Sequence, residues 1–156
     1  MTTSVVSVSD AEYPIYAWYG GSGVIYYYTE AERLYLNQNS ASMFDMLPTL
    51  KIIEMSGFDT SKVTNMHAMF FNDASLESLD LSDWDVSKVT AMSQMFSHCD
   101  KLKSVDLTDW YITQTFNGLD MFQDCPKLET VYASESFDGT LANYNAFFEG
   151  PLSKLV

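Results

Sequence analysis

Carboxylates recur at one spacing along the chain, which makes a row of acids the first candidate for chemistry. Glu54, Asp80 and Asp106 follow a single 26-residue period, and Tyr132 takes the next place. If successive units lie side by side as neighbouring strands, these side chains stand about 4.7–4.9 Å apart and the carboxylates repel one another. Water and salt, a basic protein partner or a weakly held calcium ion could offset that repulsion. The chain has no EF-hand spacing to support the calcium alternative.

The histidines and cysteines do not form a metal-binding pattern. His67 and His98 occupy different places in the 26-residue period and share no ligand spacing with the cysteines. The sequence has no Ser-His-Asp order and no dinucleotide fingerprint, and the glycine-rich stretch 20–23 lacks the helix and lysine that follow in a phosphate loop. We therefore predict no catalytic residue, no metal and no cofactor.

Two cysteines hold equivalent places in successive units. The spacing of Cys99 and Cys125 puts their Cα atoms about 5 Å apart, inside the range of a disulfide. Stacked side chains point in parallel, however, and leave the Cβ atoms farther apart than the roughly 3.8 Å that a bridge prefers. Free cysteine commonly behaves as a small buried hydrophobe. We predict two free, buried thiols.

The charge balance narrows the class of partner. The 156 residues carry 21 acids against 8 bases, a formal net charge of -13. Such a surface repels nucleic acid and anionic lipid, so neither is an expected partner. It suits a basic protein partner, or it serves only solubility. The sequence has no signal peptide and no 18-residue apolar run. We expect a monomeric fragment of a longer protein, without direct membrane insertion.

Four apolar columns share the 26-residue period and define the elements that must position the acids. They are Phe44, Phe70, Phe96, Phe122 and Phe148; Met43, Met69, Met95 and Met121, with Phe147 in the fifth place; Leu50, Leu76, Leu102 and Leu128; and Ile53, Leu79, Val105 and Val131. Repeats of this length indicate units that bury their apolar faces by stacking on one another. We predict that all four columns form the core.

Each unit contains two local patterns. Leu79 and Leu81 alternate with polar residues, which predicts a strand with one buried face. The spacing of apolar residues across 63–70 predicts a short helix, which Asp59 or Ser61 is placed to cap. Trp84 and Trp110 occur one period apart. We interpret them as aromatics that close the core, in preference to an exposed ladder for sugar or peptide.

The N-terminal region departs from the repeat. Aromatic and β-branched runs at 13–19 and 24–28 flank the glycine-rich turn, which predicts a β-hairpin. The hairpin would cover the open edge of the sheet, and its outer face, with Trp18, has the composition of a protein interface. We predict that 34–36 forms the first repeat strand. The expected organisation is one domain, with the cap and first strand at 1–36 and the repeats at 37–156.

Two successive segments carry a family resemblance. Residues 58–82 read FDTSKVTNMHAMFFNDASLESLDLS, and residues 84–108 read WDVSKVTAMSQMFSHCDKLKSVDLT. They resemble the 26-residue repeat of BspA-like leucine-rich-repeat surface proteins, which include bacterial lipoproteins and wall-anchored proteins. The resemblance spans roughly residues 13–155 and weakens at 113–119. It implies a location at the bacterial cell surface or in the medium, no catalytic activity, and a role in adhesion or in binding host or matrix proteins.

Together these observations predict an α/β fold: a right-handed leucine-rich-repeat solenoid with a parallel sheet, short convex-side helices and an N-terminal β-hairpin cap. The expected function is a non-catalytic surface module for protein binding or adhesion; the alternative is a structural spacer or stalk that displays another domain. The candidate binding surface combines the acidic row with its neighbours. Its residues are Glu54, Asp80, Asp106, Tyr132, Ser82, Thr108 and Trp18.

Overall fold

The computed structural model describes residues 4–5, 16–19, 25–112 and 116–134. Within these ranges the chain forms short strands joined by turns. The strands are β1 (Ser4–Val5), β2 (Tyr16–Tyr19), β3 (Ile25–Tyr28), β4 (Leu34–Tyr35), β5 (Phe58–Asp59), β6 (Ser78–Asp80), β7 (Ser104–Leu107) and β8 (Thr130–Ala133). They make three small sheets: antiparallel β1-β2-β3, parallel β4-β5 and parallel β6-β7-β8.

The largest parallel sheet follows the predicted strand pattern. Leu79, Val105 and Val131 are paired in register across β6, β7 and β8, and all three are buried. The residues between them alternate toward the outside, as a strand with one covered face requires. The predicted strands of these three units are therefore confirmed.

The prediction of an α/β leucine-rich-repeat solenoid with convex-side helices is wrong. The described residues contain no helix, and their strands are divided among three small sheets instead of forming one continuous parallel sheet. The segment 63–70, which was expected to be helical, and its equivalent 89–96 in the next unit consist of turns and isolated bridges. The described fold is mostly β. No segment among these residues is a helix that could span a membrane.

Hydrogen bonds between units explain why the turns do not wind into helices. A helix would satisfy each amide within its own segment, four residues back. Here the amide nitrogens of Ala68, Phe70 and Asn72 donate to carbonyls of the following unit instead. The amides of Met69 and Phe71 bond three residues back, as in β-turns. Apolar residues three apart therefore fit consecutive turns as well as a helix.

Two backbone positions in each turn have a left-handed conformation. The first set is Ser42, Ala68, Gln94 and Asp120, and the second is Met46, Asn72, His98 and Asp124, with φ between 53° and 61°. Left-handed residues interrupt a right-handed helix. The Asp59 and Ser61 pair, expected to cap a helix, instead closes a local turn, in which the Ser61 amide donates to Asp59 Oδ1 at 3.0 Å.

The first predicted repeat strand lies in a different register. Leu34 pairs with Phe58 and Tyr35 with Asp59, so β4 lies beside the segment that follows a repeat strand. The residues aligned with β6 in the preceding unit are 52–54, and they join none of the three sheets. The unit before β6 therefore contributes turns but no strand to the β6-β7-β8 sheet.

The core is built from the repeated columns. Phe70, Phe96 and Phe122 stack with nearly parallel rings, at centroid separations of 5.7 Å and 5.0 Å. The methionines that precede them, Trp84 and Trp110 are buried too, which confirms the core prediction for these units. At the start of the array Met43 is exposed and Phe44 is half-buried. Phe147 and Phe148 lie outside the described residues.

The predicted hairpin is present and contacts the first unit. β2 and β3 pair antiparallel, with Tyr19 opposite Ile25. The Tyr27 hydroxyl donates to the Ser56 carbonyl at 3.1 Å, and its ring meets Phe58 edge-on at 5.2 Å. Tyr26 and Tyr28, on either side of Tyr27, are exposed. The hairpin therefore contacts the repeats through one of its faces.

The cysteine column has the predicted state. Both thiols are free and buried. Cys99 Sγ donates to the Phe70 carbonyl at 3.1 Å, and Cys125 Sγ makes the equivalent bond to the Phe96 carbonyl at 3.0 Å. Burial, as the largest cause, raises the pKa of Cys99 far above its ordinary value, so the thiolate that reacts with alkylating agents is suppressed.

Alkylation tests this arrangement. In the native protein we expect slow labelling of both thiols, and after denaturation without reductant we expect two labels per chain by intact-mass analysis. Labelling of the native protein should be slow because each thiol is buried and donates a hydrogen bond to a carbonyl of the preceding unit. A mass deficit of about 2 Da with no labelling would reveal a disulfide and contradict the assignment.

Candidate functional site

The acidic row is assembled at the face of the parallel sheet that looks away from the core. Asp80 pairs in register with Asp106, and Asp106 pairs with Tyr132. Asp80 is exposed, Asp106 is half-buried and 45% of Tyr132 is exposed. We call these three residues, with Ser82 and Thr108, the strand face. Five of the seven predicted surface residues therefore lie together.

The two aspartates of the strand face are fixed by short local bonds. Asp80 Oδ1 accepts from the Ser82 amide at 3.1 Å and from the Ser82 hydroxyl at 2.7 Å. Asp106 Oδ1 accepts from the Thr108 amide at 3.0 Å and also from its hydroxyl. The hydrogen bonds from Ser82 hold the pKa of Asp80 below its ordinary value. The local bonds also offset part of the repulsion between carboxylates.

Glu54 and Trp18 lie apart from the other predicted residues. Glu54 precedes the sheet, is exposed, and accepts the Ser56 amide at 3.0 Å. It borders the strand face because it lines a groove together with Asp80. Trp18 lies opposite Tyr26 in the hairpin register, and its side chain lies outside the part of the chain that the structure describes.

A groove with a volume of about 220 Å³ is lined by the segment 52–56, by β6 and by the residues that follow β6. Its walls carry acidic, apolar and hydroxyl groups. They are formed by Ile52, Ile53, Glu54, Met55, Ser56, Ser78, Asp80, Asp83 and Trp84. A second groove of about 380 Å³ also has Trp84 in its wall and is lined by residues 82–87, Asp109 and Tyr111. These concave regions adjoin the strand face and enlarge the surface available to a partner.

Comparison with known proteins places the chain in a family. The family model described as "Mycoplasma protein of unknown function, DUF285" matches residues 38–152. The chain belongs to this family. No curated protein and no solved structure matches it. The matched residues begin after β4 and include the described repeat units, so the strand face belongs to the DUF285 region, while β2 and β3 precede it.

Sequence reasoning missed a row of alternating charges beside the strand face. In this DUF285 chain Lys51, Glu77, Lys103 and Glu129 follow the 26-residue period. Lys103 Nζ lies 3.1 Å from Glu77 Oε2, and hydrogen bonding to Lys103 lowers the pKa of Glu77. This row places opposite charges next to each other. The ion pair within this row joins Lys103 to Glu77 and not to Asp80 or Asp106.

Two lysines of the turn side, Lys62 and Lys88, contact other parts of the chain. Lys62 Nζ lies 4.7 Å from the centre of the Tyr35 ring. Lys88 Nζ donates to the Ser61 carbonyl at 2.8 Å. Neither contact involves the strand face.

The histidines of the DUF285 chain each have a local partner. His67 Nδ1 lies 2.8 Å from the Ser93 hydroxyl, and His98 Nδ1 lies 3.4 Å from Asp124 Oδ2. In the described ranges no group of three or more histidine, cysteine, aspartate or glutamate side chains is arranged to hold a metal ion.

Asp73 is a second feature that sequence reasoning missed. It is fully buried, and its Oδ1 accepts the Leu47 amide at 2.8 Å. Its Oδ2 has no hydrogen-bond partner among the described residues. Desolvation, the largest cause, raises the pKa of Asp73 to about 7, and the charge of Asp45 adds to the effect. The signal was available, because Asp73 stands in the column of Leu47, Cys99 and Cys125.

Proposed function

We propose that this DUF285 chain is a non-catalytic binding module of the bacterial cell surface or medium, and that its strand face binds a protein partner with a basic surface. The observation that supports the proposal most is the in-register pair Asp80–Asp106, held by local hydrogen bonds and continued by an exposed Tyr132. Fixed carboxylates do not need to be ordered on binding, which lowers the entropic cost of association.

The negative charge of the strand face raises the rate of association with a basic partner. The net charge of -13 attracts cationic partners in general, whereas the strand face adds a fixed local field. Complementary charge raises the rate of diffusional encounter, and salt screens it over about 8–10 Å. Tyr132 supplies an aromatic contact of the kind that often anchors protein interfaces. A basic surface patch flanked by apolar residues is the matching partner chemistry.

The surface location and adhesive role rest on the resemblance to BspA-like surface proteins. The segments 58–82 and 84–108 carry that resemblance, and they contain the Asp80 and Asp106 positions of the strand face. The residues proposed to bind the partner, Asp80 and Asp106, are therefore part of the repeated motif itself.

A charge-matched pair of variants tests the strand face. Asp80→Asn with Asp106→Asn removes two acids from the face, and Glu32→Gln with Asp100→Asn removes two exposed acids elsewhere. With a labelled peptide of alternating arginine and glycine as the probe, we expect the first pair to slow association several-fold more than the second. Stopped-flow fluorescence at several salt concentrations measures the association rates of both variant pairs. Circular dichroism is expected to show that both variants remain folded.

Equal slowing by the two pairs would contradict the proposal, because it would show that net charge alone attracts the peptide. The salt dependence provides the second readout. It should decrease for the strand-face pair and remain closer to the parent value for the control pair, since only the former alters the local field.

A further inference from the structure

The backbone on the turn side of the repeats has a direction. The described residues contain four equivalent turns, 39–46, 65–72, 91–98 and 117–124, and alternate amides of each turn donate to carbonyls of the next. The first junction joins Ser40, Ser42, Phe44 and Met46 to Asn65, His67, Met69 and Phe71, and the same four bonds recur one and two periods later, all at 2.8–3.0 Å. Each turn therefore directs its amides toward the following unit and its carbonyls toward the preceding one.

The first turn, residues 39–46, presents this row of carbonyls without donors. The carbonyls equivalent to the acceptors of the later turns belong to Asn39, Ala41, Met43 and Asp45. None of the four accepts a hydrogen bond from a described residue. A row of unpaired main-chain acceptors at the end of a hydrogen-bonded stack is a template for a further segment that supplies N–H groups.

The apolar columns are also uncovered at this end. Met43 is 46% exposed, whereas the equivalent Met69, Met95 and Met121 are fully buried. Phe44 is half-buried at the end of the phenylalanine stack, where its ring lies 5.4 Å from that of Phe70. The first turn thus combines free acceptors with the apolar surface that each later turn covers with its predecessor.

The segment one period upstream does not fill the row. The 26-residue period would place residues 16–19 against 42–45, but they form β2 instead. This strand pairs with β3 along its whole length and with β1 at Tyr16 and Ala17. The hairpin contacts the repeats elsewhere, through Tyr27 at Ser56 and Phe58. The preceding segment therefore belongs to a different sheet and leaves the first turn open.

The three described junctions show what fits such a row. In each of them the carbonyls receive four amides of another repeat turn, and the methionine and phenylalanine columns become continuous. Two first turns cannot pair with each other, because both would present acceptors. The matching donors lie at the opposite end of an array, since every described turn directs its amides onward.

We propose that the first turn binds the last repeat turn of a second copy of this chain, so that copies associate head to tail and each new junction continues the internal ones. Such a contact joins two different surfaces and does not close into a two-fold dimer. The net charge of -13 repels the copies, which favours the monomer expected from the sequence at low salt. Screening by salt reduces that repulsion and strengthens the association.

Sedimentation equilibrium over a range of protein concentrations, at low and at high salt, tests the association. We expect the average mass at high salt to grow with concentration beyond that of two copies. Met43→Glu should weaken self-association roughly tenfold or more, because it places an unpaired charge in the apolar contact. Leu119→Glu adds the same charge at a 52% exposed residue of a later turn and should leave the association nearly unchanged. Circular dichroism checks that both variants remain folded.

A mixing experiment tests the direction of the contact. The Met43→Glu variant keeps its donor end and loses its acceptor end, so it can add to the first turn of a parent chain but cannot be extended further. Added to a fixed concentration of the parent, it should lower the average number of copies per assembly. Leu119→Glu, which keeps both ends, should raise that number instead.

Three outcomes would overturn the proposal. They are the mass of a single copy at every concentration and salt, a dimer that does not grow further, and equal weakening of self-association by Met43→Glu and Leu119→Glu. The proposed function of the strand face is tested separately, because salt should weaken its binding of a basic peptide and should strengthen head-to-tail association.

Discussion

Replacing Phe96 by alanine is expected to lower the free energy of unfolding by about 3–5 kcal/mol, as truncations of core aromatics do. Phe96 is fully buried and lies between the rings of Phe70 and Phe122 at 5.7 Å and 5.0 Å. Truncation would leave a cavity in the middle of the stack and would remove two ring contacts at once. Urea or thermal unfolding followed by circular dichroism measures the change.

An exposed aromatic in the same part of the chain serves as the control. Tyr111 is 62% exposed, so Tyr111→Ala should change stability by no more than about 0.5 kcal/mol. A Phe96→Ala melt that matches the parent within error would place the phenylalanine column at the surface. That result would refute the packing of the units described above.

The buried acid Asp73 is expected to make the protein less stable as the pH rises from about 4 to about 7. Its pKa is raised to about 7 in the folded chain, from an ordinary value of 3.8. Between these values the folded state holds a proton that the unfolded state has released, so stability falls with increasing pH. The difference is worth as much as roughly 4 kcal/mol, and the loss is complete by about pH 8.

Asp73→Asn isolates this effect. The amide stays neutral at every pH and keeps an oxygen for the Leu47 amide, which Asp73 Oδ1 now accepts at 2.8 Å. We expect the variant to match the parent at about pH 3.5, below the ordinary pKa of 3.8, and to be increasingly more stable than the parent as the pH rises to about 8. Melting temperatures across this range measure the gap. Asp100→Asn, an exposed neighbour, should show the parent's pH dependence.

A gap that stays constant between pH 5 and pH 8 would contradict the assignment of the proton to Asp73. Three features of the surroundings of Asp73 set its pKa. Burial is the largest and raises it, the Leu47 amide lowers it by donating to the carboxylate, and repulsion from Asp45 raises it again. Because burial dominates, the net direction is upward and the protein loses stability as this proton leaves.

The strand side of the units could be predicted from sequence because it depends on burial alone. Leu79, Val105 and Val131 occupy one column, and a period of two within each segment leaves one face for the core. The turn side could not be predicted in the same way. Spacing of three suits a helix and a chain of β-turns equally, and the left-handed positions Ala68 and Gln94 carry no glycine to mark them.

The candidate site, like the fold, could be predicted only in part from the sequence. Register in the sheet follows from the period, so the proximity of Asp80, Asp106 and Tyr132 was foreseeable. The groove was not, because it depends on a segment, 52–56, that the repeat pattern alone assigns to a strand. The segment contributes no strand to the β6-β7-β8 sheet, although the Glu77 amide donates to the Lys51 carbonyl at 3.3 Å just before it.

The two sets of hydrogen bonds between units restrict how this chain can change in length. The turn amide of Phe70 reaches forward to the Met95 carbonyl of the next unit, whereas the amide of Lys103 reaches back to the Glu77 carbonyl of the preceding one. One codon inserted between the turn and the strand would shift one ladder against the other and move alternate side chains from core to solvent. Duplication or loss within the gene can therefore preserve the stack only in blocks that encode one whole repeat.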